Sequence, residues 1–139
     1  MLFRSLVVLD NEACQALADP AHRKHRPVVS QVQVVAGRKR RAAAIEVVVP
    51  TAVRVEAGWG RTSRAWAFPN RLRIADVPLD AARASTAAAI RSRAGGSVAE
   101  AHLSAVIQAA PAGQITVVTS DPGDMRLVAG DRDITIAAI

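Results

Sequence analysis

Ile45-Glu46-Val47-Val48-Val49-Pro50-Thr51-Ala52-Val53-Arg54-Val55-Glu56 is the stretch that decides the fold class of this chain. Ile45 to Val49 is rich in β-branched residues, which suit a pleated and buried strand. Pro50 stops that strand, since it has no amide to give to a ladder. A helix is expected to start near Thr51 and to run to Gly58. Strand thus passes directly into helix, and the same alternation recurs on both sides.

Upstream, Phe3 to Leu9 is an apolar run closed by Asp10, a candidate buried strand. Asn11 to Leu17 has helical spacing and ends at Asp19-Pro20. A basic loop, His22-Arg23-Lys24-His25-Arg26, precedes a second helical stretch from about Pro27 to Ala44. That stretch carries Arg38-Lys39-Arg40-Arg41 near its end, where cations suit a helix C-terminus. Downstream, Arg71 to Pro78 reads as a strand, and Asp80 to Arg93 as an Ala-rich helix closed by Gly95-Gly96. Ser97 opens a helix to about Ala110, which Pro111 and Gly113 break. Ile115 to Thr119 is a strand, Pro122 to Ala129 a helix and Ile134 to Ile139 a last strand. This order predicts one α/β domain over residues 1–139, a three-layer α/β/α fold with a central parallel sheet of about five strands.

The 139 residues suffice for a sizeable core without disulfide staples. The net charge of +6 suits a polyanionic partner, phosphate above all, though a merely soluble Arg-rich protein has the same composition. With two Trp, two Phe and no Tyr, a binder that stacks bases on aromatic platforms is disfavoured. Cys14, the only cysteine, excludes an intrachain disulfide and suits a reducing cytoplasm. Arg4 and Asp10 interrupt the apolar start, and no small-residue cleavage site follows, which speaks against a signal peptide. No apolar stretch approaches the roughly 20 residues that span a bilayer, so a soluble cytoplasmic protein with no membrane partner is expected.

Ligands of open parallel sheets bind beyond the carboxyl ends of the strands. Five of the 12 acidic residues are expected there. Asp10 follows the first strand, Glu56 lies in the helix after the second, and Glu100 lies in the first turn of the Ser97 helix. Asp121 follows the Ile115–Thr119 strand, with Asp124 one turn on. Clustered carboxylates in a basic protein call for a hard divalent cation, Mg²⁺ or Mn²⁺. Each acid also has an ordinary explanation. Asp10 and Asp121 suit helix N-caps, Ser97-Val98-Ala99-Glu100 has the capping-box pattern, and Glu56 can face solvent. Spacing alone leaves both open.

Four local sequences resemble the PIN-domain family, in family order and across nearly the whole chain. Leu6-Val7-Val8-Leu9-Asp10 is similar to its first motif, an apolar strand ending in aspartate. Val49 to Glu56 looks like the second, Val98-Ala99-Glu100-Ala101-His102-Leu103 the third, and Val117-Val118-Thr119-Ser120-Asp121-Pro122-Gly123-Asp124 the fourth. The resemblance is closest to VapC-type toxins, in particular the small Ala- and Arg-rich kind seen in actinobacteria. It implies a Mg²⁺- or Mn²⁺-dependent endoribonuclease, the toxin of a toxin–antitoxin pair, with an RNA substrate, a cognate antitoxin and a homodimeric state. Asp10, Glu56, Glu100 and Asp121 would be catalytic, and Asp10, Glu100, Asp121 and Asp124 would hold metal. Thr119 or Ser120 would supply a hydroxyl beside them, and Arg38, Lys39, Arg40 and Arg41 would contact RNA. Glu100 departs from the family's usual Asp. Its extra methylene moves the carboxylate by about one C–C bond, enough to alter metal geometry. A catalytically weak or inactive module that binds RNA or antitoxin is therefore the alternative.

His22, His25 and Cys14 lack a fourth ligand at a zinc-site spacing. His102 points about 200° away from Glu100 on a helix and is expected in packing. Trp59, Trp66 and Phe68 lie in a segment rich in Gly, Arg and Ser. They form either a contact surface or the cover of one end of the core.

Overall fold

The computed structural model describes residues 5–38, 45–110, 114–119 and 134–139. Strand β1 (Ser5–Leu9) leads into α1 (Asn11–Ala18) and α2 (His25–Arg38). Strand β2 (Ile45–Pro50) passes without a loop into α3 (Thr51–Ala57). A 3₁₀ turn (Arg64–Trp66) and α4 (Ala67–Arg71) precede β3 (Ile74–Val77). The hairpin of α5 (Ala81–Ala94) and α6 (Val98–Ala109) then leads to β4 (Gln114–Thr119), and β5 (Thr135–Ala138) is last.

The five strands form one sheet in the order β3-β2-β1-β4-β5, and every neighbouring pair is parallel. Helices flank it, as the alternation of strands and helices requires, because parallel strands need crossover connections. The chain steps from β1 to β2 to β3 in one direction, then returns to β4 on the other side of β1. The strand order therefore reverses between β1 and β4, where Leu9 lies opposite Val118. In open parallel sheets, a reversal of this kind is where ligands bind, beyond the carboxyl ends of the two strands.

The main core draws Val7, Val8 and Leu9 from β1, Val47 to Val49 from β2, and Val117 and Val118 from β4. Leu17, Val28, Val53, Leu103 and Ile107 cover these strands from the helices. A smaller cluster of Ala87, Ile90, Ala101 and Ala105 holds α5 to α6. Among the described residues no helix is long and apolar enough to cross a membrane.

Two boundaries and one segment differ from those expected. Helix α2 starts at His25, with Pro27 third, inside the first turn, where its missing amide costs no helical bond. The strand expected from Arg71 is confined to Ile74–Val77, and Arg71 instead closes α4. The turn ahead of it is also helical. Trp59 and Trp66 stack at 5.3 Å with nearly parallel rings, and both are buried in the main core. Asn70 accepts the Trp59 indole N–H at 2.6 Å and donates to the Gly60 carbonyl at 3.0 Å. Arg61 lies over the Trp59 ring and pairs with Asp76 at 2.8 Å. The two Trp side chains thus cover one end of the core rather than offering a contact surface. Phe68 is only partly buried, packed against the main core and tilted on His25. The helix expected over residues 122–129 lies outside the described residues.

Candidate functional site

Asp10 sits where β1 ends and α1 begins, at the carboxyl end of β1 beside β4. Its amide donates to the Val118 carbonyl at 3.3 Å, so the residue continues the ladder one step past the strand. Its carboxylate caps α1, accepting the Ala13 amide at 2.8 Å. The Thr119 hydroxyl, from the end of β4, also bonds to that carboxylate. Only 9% of Asp10 is exposed. Burial pushes its carboxyl above the ordinary carboxylate value, further than the bonds from Thr119 and Ala13 pull it down. Nearby Glu12 adds to the rise, and the Lys24 ammonium opposes it.

The ordinary explanation for Asp10, a helix cap, holds, and the carboxylate that makes the cap is also buried. An exposed Ser, Thr or Asn would cap equally well without the desolvation cost. The chain instead keeps a carboxylate, buried and close to Glu12, at the topological switch point.

Glu56 lies on the last turn of α3 and is exposed. Asn11, next to Asp10, donates to its Oε1 at 3.4 Å, which links it to the start of α1. Glu100 is in the first turn of α6, and its amide donates to Ser97 Oγ at 3.1 Å, the first half of the expected capping box. Leu103 and Ile107 share its helix face and are buried in the main core. Glu100 continues that face one turn further toward the helix start. Its carboxylate bends back over Gly96, where a Cβ would stand 2.7 Å from Oε2. Gly96 is thus fixed twice, by that approach and by φ of +88°.

The structure joins Asp10 to Thr119 and, through Asn11, to Glu56; it turns Glu100 toward Gly96. Among the described residues no three Asp, Glu, His or Cys groups gather so as to hold a metal ion. Ser120, Asp121 and Asp124, and Lys39, Arg40 and Arg41, lie outside the described residues. Arg38 is the last residue of α2.

Two neighbours of Asp10 escaped sequence reasoning. Glu12 and Lys24 flank it, and His22 ties them together. The Lys24 amide donates to His22 Nδ1 at 3.1 Å, so the ring proton on Nε2 faces Glu12 Oε1, also at 3.1 Å. The basic loop was visible in the sequence, but its fold back onto α1 depends on tertiary contacts. His25 meets the Ala16 carbonyl at 2.7 Å and Cys14 is wholly buried, so neither histidine stands with Cys14 as a zinc set. Burial drives the Cys14 thiol far above its ordinary value and leaves it unreactive.

His102 is fully buried, as its position on α6 suggested. Its Nδ1 accepts the Ala52 amide of α3 at 3.2 Å, while Nε2 has no hydrogen-bond partner. Burial holds the imidazole below its usual pKa, and Arg83 adds to this; the Pro78 carbonyl, outside hydrogen-bond geometry, and Asp80 oppose it.

No protein-family model and no curated protein matches this chain, so the resemblance to PIN domains stands on its four motifs alone.

Proposed function

We propose that this protein is a Mg²⁺- or Mn²⁺-dependent endoribonuclease of the PIN kind, the toxin of a VapBC-type toxin–antitoxin pair. The observation that carries the proposal is the buried Asp10 carboxylate, bonded to Thr119 at the switch point of a parallel sheet. An all-carboxylate donor set suits a hard divalent cation. A cation there would also offset the desolvation that raises the Asp10 pKa.

When bound, the metal would activate water for in-line attack on a phosphodiester and stabilise charge on the leaving oxygen. Asp10 is oriented for ligation by Ala13 and Thr119, which fix its carboxylate. Glu56, held through Asn11, would supply a further carboxylate. Glu100 would have to swing away from Gly96 to join them. Asp121 and Asp124, with Ser120, would come from the fourth motif, as the resemblance implies. Arg38 to Arg41 would hold the RNA backbone, for affinity more than for sequence choice. A cognate antitoxin, a homodimeric state and a cytoplasmic site of action belong to the same proposal.

A second reading, a PIN-like module that binds RNA or antitoxin without cutting, is favoured by one observation. Glu100 is both longer than the family's usual residue and turned toward Gly96. Incubating the protein with structured RNA and Mn²⁺ separates the two. The nuclease predicts cleavage to 5′-phosphate products, lost on adding a chelator and in Asp10→Asn. Binding without cleavage at any Mn²⁺ concentration would leave the module.

A further inference from the structure

Helix α3 has a defect at its start that its own sequence does not repair. The first amides of a helix have no partner within it, and the N-cap side chain normally accepts one. Here the N-cap residue is Pro50, whose side chain holds no acceptor and makes no capping bond. Thr51 does not substitute for it, because its hydroxyl accepts the Leu79 amide at 3.1 Å. The missing acceptor comes from another helix. His102 Nδ1, on the second turn of α6, takes the Ala52 amide at 3.2 Å.

A side chain present only to fill space would be apolar. His102 instead keeps a second ring nitrogen, Nε2, wholly buried and with no partner in hydrogen-bond geometry, although the Pro78 carbonyl acts on the ring. A buried unsatisfied donor is unfavourable, and Leu or Phe at this position would avoid it. What the imidazole offers that Leu or Phe cannot is the Nδ1 acceptor for the Ala52 amide.

We infer that His102 is a positioning residue, a cap lent by α6 to α3 that fixes the two helices carrying Glu100 and Glu56 relative to each other. Glu100 precedes His102 by two residues, and Glu56 follows Ala52 by four, one turn along the same helix. A tilt of α3 at its uncapped start would carry Glu56 away from Asn11, which adjoins Asp10. The inference deepens the nuclease proposal in its consequence for metal binding, and it stands on the helix geometry itself.

The test uses Asn and Gln as partial replacements. The Asn amide places an oxygen near the position of Nδ1, whereas the Gln amide reaches nearer to Nε2. Val55 on α3 and Val98 on α6 are 82% and 49% exposed, so both accept cysteine-linked spin labels. Buried Cys14 escapes labelling. Pulsed electron resonance on the Val55→Cys, Val98→Cys protein should give one narrow distance distribution. His102→Asn should keep it, and His102→Gln and His102→Leu should broaden or shift it. The Ala52 amide should exchange at least about tenfold faster in the Gln and Leu variants than in the wild type or Asn variant. The half-saturating Mn²⁺ concentration, read by thermal stabilisation, should rise about tenfold in the same two, as for lost supports of metal ligands. Should the Leu variant fail to fold, the Asn and Gln pair decides. An unchanged distance distribution in the folded Gln or Leu variant overturns the inference, as does an Asn variant that broadens as much as Leu. If the wild type binds no Mn²⁺, the nuclease proposal fails, while the label distances and the Ala52 exchange still decide the role of His102.

Discussion

At the scale of single residues, the buried Asp10 carboxyl carries a desolvation cost that the proposed metal would offset. Its folded pKa is raised, so the buried carboxyl is tolerated fully only at pH below its ordinary 3.8. As pH rises through the folded pKa the charged form appears, and its desolvation lowers stability. Asn is an equally good N-cap and carries no charge. Asp10→Asn should therefore raise the urea midpoint of the metal-free protein at neutral pH, and the gain should vanish near pH 3.5. The same variant should lose all stabilisation by Mn²⁺, which in the wild type grows with the logarithm of metal concentration. An Asp10→Asn protein less stable than wild type at neutral pH would mean that the carboxylate is structural. Glu100 tests the opposite case, an exposed acid with a capping geometry. Glu100→Gln keeps the Ser97 cap on its amide, so stability should fall by only about a few tenths of a kcal/mol. Cleavage should nonetheless be abolished. Glu100→Asp should maintain or raise cleavage, because the shorter side chain loses its reach toward Gly96. A large loss in that variant would show that the backbone is fitted to the longer acid.

At the scale of elements, the sequence was most legible where local chemistry and tertiary need agree. Ser97 caps α6 as its pattern suggests, Asp80 caps α5 at the start of the expected helix, and Gly95 ends α5 with a positive φ. Pro50 ends β2 and starts α3 in one residue. The segment from Trp59 to Arg71 was not legible, because its polar composition conceals two buried indoles. What holds it are contacts distant in sequence: Asn70 to Trp59 and Gly60, and Asp76 to Arg54 and Arg61. Asn70→Ala would leave the buried Trp59 N–H without its acceptor, at a cost of about 1–3 kcal/mol. A urea titration followed by Trp fluorescence should show that loss as a lower midpoint with an unchanged slope. A shift below about 0.5 kcal/mol would mean that water replaces the amide and that the turn is looser than its geometry implies.

At the scale of the whole molecule, the alternation of strands and helices was enough to imply a parallel sheet and to place Asp10 at its carboxyl edge. The strand order was not readable, since periodicity within a strand carries no information about its neighbours. A hydroxyl from Thr119 beside Asp10 was expected through the resemblance alone; periodicity could not give it, since the bond forms because β4 returns to lie beside β1. The largest property that sequence does give directly is charge, and it makes the final prediction. Eighteen Lys and Arg against 12 Asp and Glu leave a net +6, and four of those cations are consecutive at Arg38 to Arg41. If these four contact phosphates, they release counterions on binding, and affinity for single-stranded RNA falls with salt by a slope of about −0.7 per contact. Replacing all four by Ala should lessen the slope of log K against log salt by about three. Binding should weaken by a similar factor for RNAs of unrelated sequence, because phosphate contacts position the strand without reading it. Cleavage at saturating RNA should stay near the wild-type rate, since these residues are assigned to affinity and the acids to chemistry. Measuring affinity by fluorescence anisotropy from about 50 to 200 mM salt gives both quantities. An unchanged slope would show that this run is only a solvated helix end, and that the RNA path lies over other cations.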